Sequence, residues 1–286
     1  MSANKNKISF LAKNDTICPV CQEVFRKEEL LSGGGRMNAG ALTDEFHRLY
    51  IPTQKYGAVY PLIYPVTVCP KCLYAAYASD FNKISDDNIG LLFGSKDQRI
   101  SEAKNIFPRY DFYESRTLKE GLLSYILAII CYDSLDSSHQ PIFKQALSSL
   151  RAAWLANDYD LVEPDENFNY LRDVLYRKAR FFYSEIMVAE KDGREFYQDI
   201  PHFGPDIDHN HGFDGVMFLA GLLEYKYGPK DNRVQRINAL TVAKITIARI
   251  VGMGKSSKSK PSDFVEVARK LHGEIQNELK SLEEDN

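Results

Sequence analysis

The sequence predicts a mainly α-helical chain that opens with a small zinc-stabilised module containing a few short strands. Two observations carry this. Cys18-Pro19-Val20-Cys21 and Cys69-Pro70-Lys71-Cys72 together supply the four thiolates that a tetrahedral structural zinc ion requires. From residue 109 onward the apolar residues recur at helical spacing, and no strand-like alternation survives. The expected organisation is a zinc-binding module over residues 1–82 and a helical domain over residues 83–286.

Composition narrows the class. A chain of 286 residues, 44% of them hydrophobic, can bury a sizeable core and is not a disordered protein. Its formal charge of −3 argues against the basic surface of a dedicated nucleic-acid binder. The polar start, Met1 to Lys7, has no apolar run behind it and does not read as a secretory signal. Leu122 to Cys131, the most apolar stretch, is ten residues long, about half of a membrane-spanning helix. A cytoplasmic location without membrane insertion is therefore expected. In that reducing setting, five cysteines with four of them in Cys-x-x-Cys pairs point to a metal rather than to disulfides.

In chain order, Ile8-Ser9-Phe10-Leu11 is an apolar patch ahead of the first cysteine turn. Pro19 and Pro70 stiffen the two turns, whose amides favour the thiolate form. Between Cys21 and Cys69 lie 47 residues, where common ribbons have about 15 to 20. This segment must loop out and return, and Gly33-Gly34-Gly35 within it reads as a tight loop, since no Gly-Lys-Ser/Thr ending marks a phosphate cradle. Thr43 to Tyr50 is a short helix candidate that Pro52 would end, and its His47 is a packing residue or an extra metal neighbour.

After the second turn, Leu73-Tyr74-Ala75-Ala76-Tyr77 is expected to enter a helix directly, as treble-clef and rubredoxin-like sites often do, the module being zinc-ribbon/rubredoxin-like or treble-clef-like. Asp80 either holds a backbone amide of the turn or sits in solvent. Ser85 and Ser95 are N-cap candidates for short helices reaching Phe93 and Phe107, separated at Gly94.

The helical part contains a repeat. Leu118, Gly121, Leu122 and Tyr125 return as Phe218, Gly221, Leu222 and Tyr225, close to the first helix of a tetratricopeptide repeat with leucine and glycine exchanged. Pro141 to Ala156 and Asp231 to Val251 can pack antiparallel to these helices. Phe168, Leu171, Leu175, Phe182, Ile186 and Ala189 line one face of a long helix that Gly193 should stop. A last helix with Phe264, Leu271, Ile275 and Leu279 inward caps the array, behind a flexible basic linker at residues 252–261. Cys131, in an apolar run, is expected to be a core thiol.

One loop is rich in possible ligands. His202, Asp206, Asp208, His209 and His211 fall within Pro201 to His211 and could present oxygen and imidazole groups to a second metal or a small molecule. The same glycine, prolines and Asp/Asn also spell an ordinary loop that caps the next helix.

Gly33-Gly34-Gly35-Arg36, the run from Leu49 through Pro52 and Tyr56-Gly57 to Val59-Tyr60-Pro61, and Val68-Cys69-Pro70-Lys71-Cys72-Leu73-Tyr74-Ala75-Ala76 with Asp80-Phe81 resemble a bacterial family catalogued as domain of unknown function 2225, its spirochaete members in particular. The resemblance covers roughly residues 15 to 82. It implies Cys-x-x-Cys pairs followed by tetratricopeptide-like helices, carries over Cys18, Cys21, Cys69 and Cys72, and brings no catalytic residue.

Four thiolates leave a zinc ion no open position for water or substrate, so its role is expected to be structural. The leading expectation is a non-enzymatic adaptor that binds a protein or peptide on its helical-repeat surface. The alternatives are an enzyme or small-molecule binder using the 202–211 loop, and a nucleic-acid-binding zinc ribbon.

Overall fold

The computed structural model describes residues 7–253 and 262–284. Eight short strands occupy the described N-terminal part: β1 (Ser9–Leu11), β2 (Thr16–Ile17), β3 (Val24–Phe25), β4 (Glu28–Leu30), β5 (Ala39–Leu42), β6 (Arg48–Tyr50), β7 (Val66–Val68) and β8 (Ala75–Tyr77). They pair antiparallel in four two-stranded ribbons, β1 with β4, β2 with β3, β5 with β6 and β7 with β8. Each ribbon is too small to hold itself together in water, so the ribbons depend on what they pack against.

Among the described residues eight α-helices follow: α1 (Asp86–Gly94), α2 (Lys96–Ile106), α3 (Leu118–Tyr132), α4 (Pro141–Val162), α5 (Phe168–Asp192), α6 (Gly212–Tyr227), α7 (Arg233–Met253) and α8 (Ser262–Glu284). Their ends have local causes. The Ser85 hydroxyl accepts from the Asn88 amide, Thr117 and Glu120 form a capping box, and Gly193 ends α5 at φ +69°. Ser95 does not cap α2 with its side chain; its hydroxyl instead accepts from Arg99 at 2.7 Å. From α3 to α8 each helix packs on the next. Of the basic linker expected at 252–261, residues 252 and 253 belong to α7, and 254–261 lie outside the described residues.

Two segments expected to be helical are not. Thr43 to Tyr50 forms the tip of the β5–β6 hairpin and strand β6. The Thr43 hydroxyl accepts from the amides of Glu45 and His47, a local turn that competes with helix, and Phe46 takes a left-handed conformation at φ +62°. Leu73, at φ +56°, likewise turns the chain back, so the Cys69 amide donates to the Tyr74 carbonyl and β8 pairs with β7. The helix expected directly after the second cysteine turn thus gives way to a hairpin.

One buried cluster runs from Cys18 and Val20 through Leu62 and Leu122 to Leu279. Gly121 and Gly221, the matched glycines of the repeat, serve it differently. A Cβ on Gly121 would meet Ile63 of the N-terminal part at 2.4 Å, and one on Gly221 would meet Ile247 of α7 at 2.7 Å. The first glycine lets the short turn Pro61–Ile63 onto α3; the second lets α7 onto α6.

Candidate metal centre

The two cysteine turns are near copies. Each crosses the tip of a two-stranded hairpin, β2–β3 or β7–β8. In each, the residue after the second cysteine is left-handed, Gln22 at φ +61° and Leu73 at +56°, and its amide donates back to the carbonyl of the first cysteine. The amides of Cys21 and Cys72 favour the thiolates of Cys18 and Cys69, and those of Glu23 and Tyr74 do the same for Cys21 and Cys72.

The tips face one another. Cys18 Sγ lies 3.6 Å from Cys72 Sγ, Cys21 Sγ lies 3.6 Å from Cys69 Sγ, and all four sulfurs fall within 4.8 Å of one another. Disulfide sulfurs sit about 2.0 Å apart, so this is a quartet of free thiols spaced to share one metal ion. Cys18, Cys69 and Cys72 are buried and Cys21 is half-buried. Crowding costs the protonation balance: contact with Cys69, and then burial, push the Cys18 thiol up to about 12.

Behind the quartet lies Arg99 of α2, 1% exposed. Its Nη1 donates to Ser95 and its Nη2 donates to the Cys72 carbonyl at 3.1 Å, while Nε has no partner. No carboxylate pairs with it among the described residues. Cys131 also sits here, fully buried, its sulfur accepting from the Ala75 amide at 3.4 Å, and burial pushes its thiol up to about 11. It is a packing thiol, as its apolar setting suggests.

Asp80 neither holds a turn amide nor sits in solvent. It accepts from the Tyr132 hydroxyl and from Lys144, and the Tyr132 oxygen in turn accepts from the Tyr77 amide at 3.1 Å. The β7–β8 hairpin is thereby tied to α3 and α4 through a side-chain relay.

The 202–211 loop faces a different structure, the tip of β5–β6. Asp206 is fully buried; its Oδ2 accepts from His47 Nδ1 at 2.7 Å and from the Arg48 amide at 2.8 Å, and its Oδ1 from the Ile207 amide. Burial alone would raise its pKa, but the His47 hydrogen bond and these amides hold it below the usual carboxylate value. Asp208 accepts from Arg48 Nε, and His209 Nε2 accepts from Arg48 Nη2, both at 2.7 Å. His202 Nδ1 accepts from the Gly204 amide. His211 stacks on Phe46 at 4.2 Å, and burial lowers its pKa. Among the described residues these five side chains do not gather as a metal-ligand group; the cysteine quartet does.

Residues 11–275 match the family described as "Uncharacterized protein conserved in bacteria (DUF2225)". The chain belongs to this family. It is 43% identical over 277 residues to an "Uncharacterized protein" of Borreliella burgdorferi (strain ATCC 35210 / DSM 4680 / CIP 102532 / B31), covering 96% of this chain and 99% of the relative. No solved structure matches.

In this DUF2225 protein the hairpin tip is the feature that local sequence reading missed. Glu45, 5% exposed, accepts from Trp154 Nε1 of α4 at 2.6 Å, Tyr176 of α5 at 3.0 Å and Lys226 of α6 at 3.0 Å. Phe46 stacks near Phe218 of α6 and Phe264 of α8, and the His47 ring lies 4.3 Å from that of Trp154. Three consecutive residues thus dock one finger of the N-terminal part into four helices. The only local signal is an acidic residue between turn-forming and aromatic neighbours.

Proposed function

We propose that this chain is a zinc-stabilised scaffold of the cytoplasm whose tetratricopeptide-like helices bind a protein partner. The zinc assignment draws support from three observations. Zinc–thiolate bonds of about 2.3 Å in a tetrahedron put sulfurs roughly 3.8 Å apart, close to the 3.6 Å separations of the two facing pairs. The donor set is all thiolate. Arg99 is a buried guanidinium whose charge lacks a carboxylate partner, and a divalent ion held by four thiolates carries net negative charge that offsets it. Cys18, Cys21, Cys69 and Cys72 would hold the ion, which supplies stability and leaves no position open for chemistry. Elemental analysis of protein never exposed to chelator should find one zinc per chain; well under one would sink the assignment.

The partner-binding reading rests on one groove of about 340 Å³, between α5 and α7 with α6 as its floor. Met187, Val188, Ala220, Gly221, Ala239 and Val242 line it, and Val188 and Val242 are exposed. At its polar end Arg180 pairs with Glu224 at 2.8 Å, yet Arg180 Nε and Glu224 Oε1 remain buried without partners. Small residues on the floor, apolar walls, and one unmet donor beside one unmet acceptor suit an amphipathic helix carrying a polar side chain at that end. A photo-crosslinking residue at Val242 in the native bacterium should give one discrete adduct that Val188→Asp abolishes. An adduct pattern shared with exposed Lys280, or insensitive to Val188→Asp, would count against it.

A further inference from the structure

A second constellation lies on the far side of His47. The Asp206 carboxylate accepts from His47 Nδ1, which orients the ring, and the tautomer that donates through Nδ1 carries its lone pair at Nε2. The ring is further held by its stack on Trp154. Nε2 makes no hydrogen bond with the described residues and is not among the sealed polar atoms. His47 borders a cavity of about 270 Å³ whose walls include Tyr50, Pro52, Val59, Tyr60 and Leu155.

Asp158 of α4 borders the same cavity and makes no hydrogen bond or ion pair with the described residues. Burial pushes its carboxyl up, opposed by His47. The charge around it is unbalanced. Asp158, Asp206 and Asp208 stand against Arg48, whose Nε, Nη1 and Nη2 are already engaged by Asp208, the Gly40 carbonyl and His209. Tyr50 registers this: burial first, then the charges of Asp206 and Asp208, push its hydroxyl up to about 12.

We propose that this cavity binds a small organic cation, a primary ammonium or guanidinium on a short apolar stem, with Asp158 as its counter-charge and His47 Nε2 accepting one of its N–H groups. An anion would meet Asp158, while Arg48, the basic side chain other than His47 among the described lining residues, is already engaged. A neutral ligand would leave Asp158 desolvated and unpaired. A metal ion would find two ligating groups here, fewer than the cysteine quartet offers. Taking water's share of about 30 Å³ as a guide, the space suits on the order of ten non-hydrogen atoms. This site is independent of the helix groove and of the zinc.

The test uses the full chain with a matched series: n-butylamine, n-butylguanidine, n-butanol and butyrate. Binding is followed by calorimetry and by the imidazole ¹⁵N resonances of His47, assigned with His47→Gln. The amine and guanidine should shift His47 saturably and bind at least about ten-fold more tightly than butanol, while butyrate leaves it unmoved. Asp158→Asn, isosteric at a group with no hydrogen-bond partner, should weaken both cations by about ten-fold or more. Equal response to butanol or butyrate, no saturable response to the cations at tens of millimolar, or full affinity in a folded Asp158→Asn protein would each overturn the proposal. Should that variant misfold, the ligand series on the unaltered chain still decides.

Discussion

Arg99 donates through Nη2 to the carbonyl oxygen of Cys72, 3.1 Å away, and so places a buried positive charge directly behind a thiol quartet. Backbone contact of this kind holds the turn, and a positive charge there complements the net negative charge that four thiolates and a divalent ion would carry.

Arg99→Met should therefore weaken metal binding by about ten-fold or more, as loss of groups that support metal ligands generally does. Competition against a chromophoric chelator measures it. Ser95→Ala, which removes a neutral partner of Arg99 and the hydroxyl's bonds to the Leu91 and Leu92 carbonyls but leaves the Arg99 charge, serves as the control and should leave metal affinity within about two-fold. Equal affinity in Arg99→Met and the unaltered chain would show that the charge does not act on the metal.

Cys72→Ala should release the metal and destabilise the β2–β3 and β7–β8 hairpins, whose tips the quartet joins. A loss of about 4 kcal/mol corresponds to a fall in melting temperature of roughly 8–16 °C in a chain of this size class. Chelator added to the unaltered chain should produce a similar fall, and Cys131→Ala should retain the metal because its sulfur packs among apolar groups.

The two kinds of glycine separate cleanly. Gly121→Ala forces a methyl to 2.4 Å from Ile63 and should cost about 1–3 kcal/mol. Gly90→Ala, in α1 with nothing within 4 Å, should stabilise by up to about 1 kcal/mol. Urea denaturation of both variants checks the pair, and Ile63→Ala should recover part of the Gly121→Ala loss.

Asp206 gives the chain an acid-sensitive clasp. Its folded pKa lies below the ordinary value of 3.8: burial works against this, and the His47 hydrogen bond and the Ile207 and Arg48 amides outweigh it. The resulting stability is fully present above pH 3.8 and is lost as the pH falls through the lower folded value. Urea titrations across this range should show a shallower acid limb in Asp206→Asn; an unchanged slope would remove Asp206 as its source.

How much was legible follows from distance along the chain. The cysteine quartet could be read because each turn carries its own Cys-Pro-x-Cys signature, and the helices because Ser85, Gly193 and the apolar spacing act within a few residues. Thr43 to Tyr50 could not. Its composition permits a helix, and what decides against it is Glu45 meeting Trp154, 109 positions away. His47 and Asp206, 159 positions apart, carried no mutual signal, so each was read only against its neighbours. Leu73 was a subtler loss, since a leucine in a left-handed conformation runs against its own preference and is held there by the hairpin it creates.

The docked finger also sets a schedule. Glu45 leaves the ribosome long before Lys226, the last of the three groups whose hydrogen bonds hold it most closely. At typical rates of synthesis the gap is roughly 10–35 s. Throughout that interval a carboxylate and an aromatic ring made for burial stand in water without their receptor. The N-terminal part of this chain thus cannot finish folding in the order in which it is made, and any stall or truncation before α6 leaves the Glu45–Phe46 tip, buried in the finished fold, exposed to the wrong company.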